Sequence, residues 1–121
     1  GVGQLLGNIG MIREHLNNNL HISAIVLTMY DARTRLAADV ADEVRGQFGQ
    51  VVLNNVIPRS VKVSEAPGYG QTVIDYDPGS RGALAYFDAA KELATRGDYQ
   101  PHPTTGPIGV SPEVYNQLEE E

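Results

Sequence analysis

Five of the chain's nine Lys and Arg residues, Arg33, Arg35, Arg45, Arg59 and Lys62, lie on two loop–helix junctions that follow two apolar runs. Cations gathered this way can neutralise the phosphates of an anionic partner. They can equally pair with Asp31, Asp39 and Glu65, the commoner fate of surface charges. A polar, non-repeating stretch ends each apolar run: Thr28-Met29-Tyr30-Asp31 and Ile57-Pro58-Arg59. In an open α/β sheet, ligands bind beyond the carboxyl ends of the strands. Both stretches therefore suit a base or sugar pocket, and both also suit ordinary turn chemistry.

Other chemistries lack their residues. The pattern G-x-x-x-x-G-K-[ST] is absent, and Gly68-Tyr69-Gly70 and Gly1-Val2-Gly3 lack the lysine that a phosphate cradle needs. There is no cysteine, which excludes a disulfide framework, a thiolate zinc site and a cysteine nucleophile. His15, His21 and His102 have no metal-ligand spacing. Asp75 and Asp77 alternate on a loop and read as turn formers. No catalytic residue and no metal ligand is assigned.

The elements that must position the cations follow from periodicity. The chain opens in a helical pattern, with Val2, Leu5, Leu6 and Ile9 at spacings of three and four, ended by Asn17-Asn18-Asn19. Residues 22–30 (ISAIVLTMY) and 51–57 (VVLNNVI) read as strands buried on both faces of a parallel sheet. Between them, Asp31 and Thr34 offer capping oxygens. Leu36, Val40, Val44 and Phe48 then mark the inner face of a helix ending at Gly46 and Gly49. Residues 58–78 form a long Pro- and Gly-containing connection, with room for one or two helical turns over 60–66. Residues 80–96 predict a last helix with Leu84, Phe87, Ala90, Leu93 and Ala94 inward.

Strand–helix–strand implies a right-handed parallel crossover. Two parallel strands alone do not make a stable sheet, so the pattern reads as the second half of a doubly wound α/β domain. Such a half would leave apolar faces uncovered at Val26, Leu27, Val52 and Val56.

The net charge of −6 is unevenly spread. Residues 1–96 hold nine cations against ten acids, while 97–121 hold five acids and no Lys or Arg. The acidic balance therefore belongs to a Pro-rich tail, expected to be mostly disordered, and leaves room for a basic edge on the body.

Three strings carry a resemblance. They are Thr28-Met29-Tyr30-Asp31-Ala32-Arg33-Thr34-Arg35-Leu36, then Val56-Ile57-Pro58-Arg59-Ser60-Val61-Lys62-Val63-Ser64-Glu65-Ala66-Pro67-Gly68-Tyr69-Gly70, then Tyr76-Asp77-Pro78-Gly79-Ser80-Arg81-Gly82-Ala83. Over residues 1–96 the chain resembles the C-terminal half of ParA/Soj-type chromosome-partitioning ATPases, whose fold is a doubly wound P-loop domain.

The resemblance implies that the intact protein uses ATP and Mg²⁺, whose main ligands belong to the N-terminal half. This chain alone should then bind nucleotide weakly and lack ATPase activity. Met29, Tyr30, Pro58 and Arg59 would supply the adenine-side wall. Arg33 and Lys62 would hold DNA without reading its sequence. Lys at position 62, where Arg is commoner, keeps the charge and loses the bidentate fork. A homodimer formed on ATP, a ParB-type partner that stimulates hydrolysis, and a cytoplasmic, nucleoid-associated protein without membrane attachment are also implied. Two other readings stand beside this one. One is a stand-alone, non-enzymatic α/β binding module. The other is a MinD-like ATPase without the membrane anchor, since residues 112–121 contain no Lys or Arg to meet anionic lipid.

Overall fold

A computed structural model describes residues 2–96 of the chain. The tail at 97–121, its expected disorder and His102 lie outside the described residues. The chain divides into two compact units, one holding Gly1–Ser23 and the other Ala24–Gly97.

In the first unit, α1 runs over Val2–His15, as the periodicity predicts. The N–H groups of Leu16 and Asn17 both reach Ile12 O at 2.8 Å, closing the last turn. Arg13 then donates to Leu20 O at 2.7 Å and ties down the exit segment.

The second unit contains α2 (Arg35–Phe48), α3 (Val61–Glu65), α4 (Val73–Tyr76) and α5 (Arg81–Arg96). Each begins where a hydroxyl can accept an orphan N–H. Thr34 Oγ1 accepts from Ala37 N at 3.2 Å, and Thr72 Oγ1 accepts from Asp75 N at 3.3 Å. Ser60 Oγ accepts from Val63 N, and Ser80 Oγ accepts from Ala83 N. Gly49 closes α2 at φ +60°, a conformation that favours glycine, and donates to Arg45 O.

The expected strands need correction. Among the described residues, the expected strands 22–30 and 51–57 pair in parallel at one isolated bridge, Ile25 with Val52, and a second joins Tyr30 to Pro58, just past the end of the second segment. Between the bridges the second segment carries one residue more than the first, a bulge. The cause is Glu92 on α5. Its carboxylate takes the N–H of Asn54 at 2.7 Å and of Asn55 at 2.9 Å, and the Asn55 side-chain amide at 2.7 Å. Asn55 N, the next donor after Leu53 N on the side of the first segment, is thereby diverted from the ladder. Pairing resumes when Ile57 N donates to Leu27 O at 2.8 Å.

The inner faces of two helices also differ from expectation. α2 buries Ala41 and Phe48, while Leu36 is 73% exposed and Val40 is exposed too. α5 buries Gly82, Ala83 and Ala89, while Leu84 is 52% exposed and Phe87, Ala90, Leu93 and Ala94 face outward. Small residues are needed on the near side of α5 because α3 comes close. A Cβ built on Gly82 would lie 2.5 Å from Val63 Cγ2 and 2.9 Å from Ser60 Oγ. Ala66, Val73 and Ala83 pack there with Val63, Ile74 and Tyr76. A second small cluster joins Leu53, Ile57 and Ala89. Val52 is buried, contrary to the uncovered face expected of it, whereas Val26 remains exposed.

Candidate functional site

The bridge between Tyr30 and Pro58 sets the geometry. Tyr30 N donates to Ile57 O and Arg59 N donates to Tyr30 O, each at 3.0 Å. In a parallel bridge the flanking residues on the partner segment make the bonds, so Pro58 sits opposite Tyr30 without needing an N–H. Met29 and Tyr30 are thereby set beside Pro58 and Arg59. Met29 has φ +57°, an uncommon conformation for a residue other than glycine, and its side chain is exposed.

A cavity of about 280 Å³ opens beside this turn, between Leu27–Asp31 and the first two turns of α2. Met29 and Tyr30 line it, together with Leu36, Ala37 and Val40. Pro58 and Arg59 do not. The four expected wall residues are thus brought together along the backbone, but only two face the cavity.

Arg33 follows at once. Its Nε and Nη2 each lie 3.0 Å from an oxygen of Asp31, and its backbone N–H donates to the same carboxylate at 3.1 Å. This fork holds the Asp31 carboxyl down to about 2, with the Arg33 side chain the largest cause and the Arg59 charge a smaller one. In return, Asp31 raises the Arg33 guanidinium further above its ordinary value. The Arg33 side chain stays largely in solvent.

Lys62, on α3, has its Nζ 3.9 Å from Glu65 Oε2 and 3.9 Å from Asp77 Oδ2. It also lies 5.8 Å from the centre of the Tyr76 ring. Tyr76 donates its hydroxyl to Glu65 at 2.8 Å and stacks on Tyr69 with ring centres 5.2 Å apart. The hydrogen bond to Glu65, helped by burial, pushes the Tyr76 hydroxyl up to about 12.

Of the five cations, Arg33 and Lys62 are therefore exposed and paired with acids. Arg35 meets Asp39 along α2 at 3.9 Å. Arg59 is exposed and has no ion pair among the described residues. Arg45 is spent on structure, donating to Leu53 O at 3.0 Å and Asn54 O at 3.3 Å. Periodicity and motif spacing missed the carboxylate of Asp77 and the Tyr69–Tyr76 pair as neighbours of Lys62. Among the described residues, no cluster of three or more His, Cys, Asp or Glu is placed to hold a metal ion.

Residues 1–73 match the CobQ/CobB/MinD/ParA nucleotide binding domain. The chain belongs to this family. It is 48% identical to the sporulation initiation inhibitor protein Soj of Bacillus subtilis over 97 residues, which is 80% of this chain and 38% of that protein. Against the chromosome partitioning protein ParA of Caulobacter vibrioides it is 46% identical over 96 residues, 79% of this chain and 36% of ParA. The chromosome-partitioning ATPase Soj of Thermus thermophilus is 43% identical over 96 residues, 79% of this chain and 39% of Soj. The ParA/Soj resemblance carried by the motifs is thus shown, and an α/β fold follows from membership. The chain spans little more than a third of the length of these ParA-type relatives. No helix among the described residues is long and apolar enough to cross a membrane.

Proposed function

We propose that the chain serves as the C-terminal half of a ParA-type partitioning ATPase, completing a doubly wound sheet and supplying one wall of its nucleotide pocket and part of a DNA-holding surface. The observation that carries this reading is the Tyr30–Pro58 bridge, which draws the T-M-Y-D-A-R and I-P-R-S-V-K strings to one edge. Names and extent of the relatives support the same reading.

The residues present fit one part of a nucleotide. The cavity beside Met29 and Tyr30 is walled mostly by apolar side chains and suits a flat base. No Lys or Arg lines it, so the phosphates and Mg²⁺ would be held by other parts of the protein. When bound, ATP with Mg²⁺ supplies the phosphoryl group whose hydrolysis limits the lifetime of a DNA-holding dimer, and a ParB-type protein would stimulate that hydrolysis. Within this chain, Tyr30 and Pro58 fix the turn, Met29 offers its exposed side chain, and Arg33 and Lys62 present charge to successive phosphates of a duplex.

Most nucleotide affinity comes from the phosphate cradle and the metal. Titration of ATP and Mg²⁺ into the full-length protein should show binding and turnover accelerated by DNA with a ParB-type partner, while this chain alone shows neither. Micromolar, Mg²⁺-dependent binding by the chain alone, or no binding by the full-length protein, would overturn the assignment.

A further inference from the structure

We infer that Glu65 and Asp77 act as an internal stand-in for phosphate, competing for Lys62 and setting how tightly this edge holds a nucleic-acid backbone. The inference rests on the DNA-holding role proposed for Lys62 and names its regulation.

Two carboxylates stand equidistant from one ammonium, 3.9 Å each, so the immediate surroundings of Lys62 are acidic on balance. Glu65 is positioned independently of the lysine, and the Asp77 backbone is held beside it. Glu65 is fixed by the Tyr76 hydroxyl at 2.8 Å, and Tyr76 is itself braced by Tyr69. Asp77 is pinned through its backbone. Its N–H donates to Val73 O at 2.9 Å, and its carbonyl accepts from Ser80 N at 3.1 Å and Ser80 Oγ at 2.8 Å. The Glu65 carboxylate therefore persists whether or not Lys62 occupies it, and the pinned Asp77 backbone keeps a second carboxylate within reach.

The lysine, by contrast, is free to leave. Its side chain is 48% exposed, and exposed ion pairs at this distance are weak and screened by salt. A phosphate arriving from solvent exchanges for the two carboxylates at small cost. Without them, Lys62 would meet phosphate unopposed. The Tyr76 ring lies 5.8 Å from the ammonium in this paired state.

Asp77→Asn is the cleaner probe, because among the described residues the Asp77 carboxylate pairs with Lys62 alone. Glu65→Gln is the second, since the amide oxygen still accepts from Tyr76. Binding of the full-length protein to random-sequence duplex is measured at fixed low salt for wild type, Asp77→Asn, Glu65→Gln, Lys62→Ala and Lys62→Ala/Asp77→Asn. The expected result is a tightening of about two- to fivefold in Asp77→Asn, the range that an exposed ion pair supports. Glu65→Gln should move in the same direction, and the gain should vanish in the Lys62→Ala background. Equal tightening with and without Lys62 overturns the inference, because it would report only reduced net charge. If Lys62→Ala weakens binding while neither acid variant tightens it, the competition fails and the DNA role stands. If Lys62→Ala leaves binding unchanged, the DNA role of Lys62 fails and the competition falls with it.

Discussion

Glu92 and Asp77 both reach across the chain to hold a distant partner, Glu92 taking Asn54 and Asn55 and Asp77 taking Lys62. Glu92 is 15% exposed and accepts two backbone N–H groups and a side-chain amide, with Arg96 alongside at 3.3 Å. Asp77 is 38% exposed and makes one long contact to an ammonium. The difference teaches which charges build the fold and which remain exchangeable. Removing Glu92 takes the acceptor from three donors at once, two of them part-buried, whereas removing Asp77 leaves a lysine that water solvates readily.

The largest test of this contrast is Glu92→Ala. It should cost about 1–2 kcal/mol, since three short charge-assisted bonds, two of them to part-buried donors, are lost together while water can reach the exposed Asn54 N–H. Urea unfolding would measure it, and a loss no larger than that of an exposed surface pair would break the comparison. Acid should weaken the same clamp. Burial raises the Glu92 carboxyl, but the Asn54 and Asn55 N–H groups, the Asn55 amide and Arg96 outweigh it, and the net shift is downward. Its contribution is therefore fully present above the unfolded carboxylate value, about pH 4, and is lost as pH falls through the lower folded value.

Gly82→Ala comes next. The new methyl meets Val63 Cγ2 and Ser60 Oγ, with the α3 cap on one side and buried Ala83 on the other. Such overpacking costs about 1–3 kcal/mol, read as a lowered urea midpoint. At the small end, Asp77→Asn and Lys62→Ala should each change stability by no more than about 0.5 kcal/mol. Between these lies the Asp31–Arg33 fork. The Asp31 carboxyl should titrate near 2 by NMR in the wild type. In Arg33→Ala it should return toward its ordinary value, about 4. Because the folded value is depressed, the fork's contribution is present above about pH 4 and fades as pH falls toward 2.

The helices were readable because their starts are local. Thr34, Ser60 and Ser80 each cap a helix within three residues of their own position, whereas the four-residue α4 after Thr72, which takes Asp75 out of the expected loop, is too short to show a period. The adjacency of Met29–Tyr30 and Pro58–Arg59 was readable too, since ends of parallel segments lie side by side. The break in the strands was not. It depends on Glu92, 37 residues from Asn55, and nothing in V-V-L-N-N-V-I announces that two of its amides point at another helix. The burying face of α5 was misjudged because large apolar side chains were assumed to face inward. The close approach at Gly82 reserves that side for Gly and Ala. The Asp77–Lys62 pairing escaped notice because the spacing of Asp77 from Asp75 fits a turn, and Lys62 lies on α3, with all of α4 between it and Asp77.

The most direct test of the account is binding of the full-length, ATP-bound protein to random-sequence duplex across a salt series, with Arg33→Ala and Lys62→Ala beside the wild type. Each phosphate neutralised adds about 0.9 to the slope of log affinity against log salt. The account predicts weaker binding to all sequences alike, with the slope flattened by about one unit per site lost and ATP turnover without DNA preserved. An unchanged affinity and slope in both variants would contradict it, leaving Asp31, Glu65 and Asp77 as the acidic partners of these two cations among the described residues.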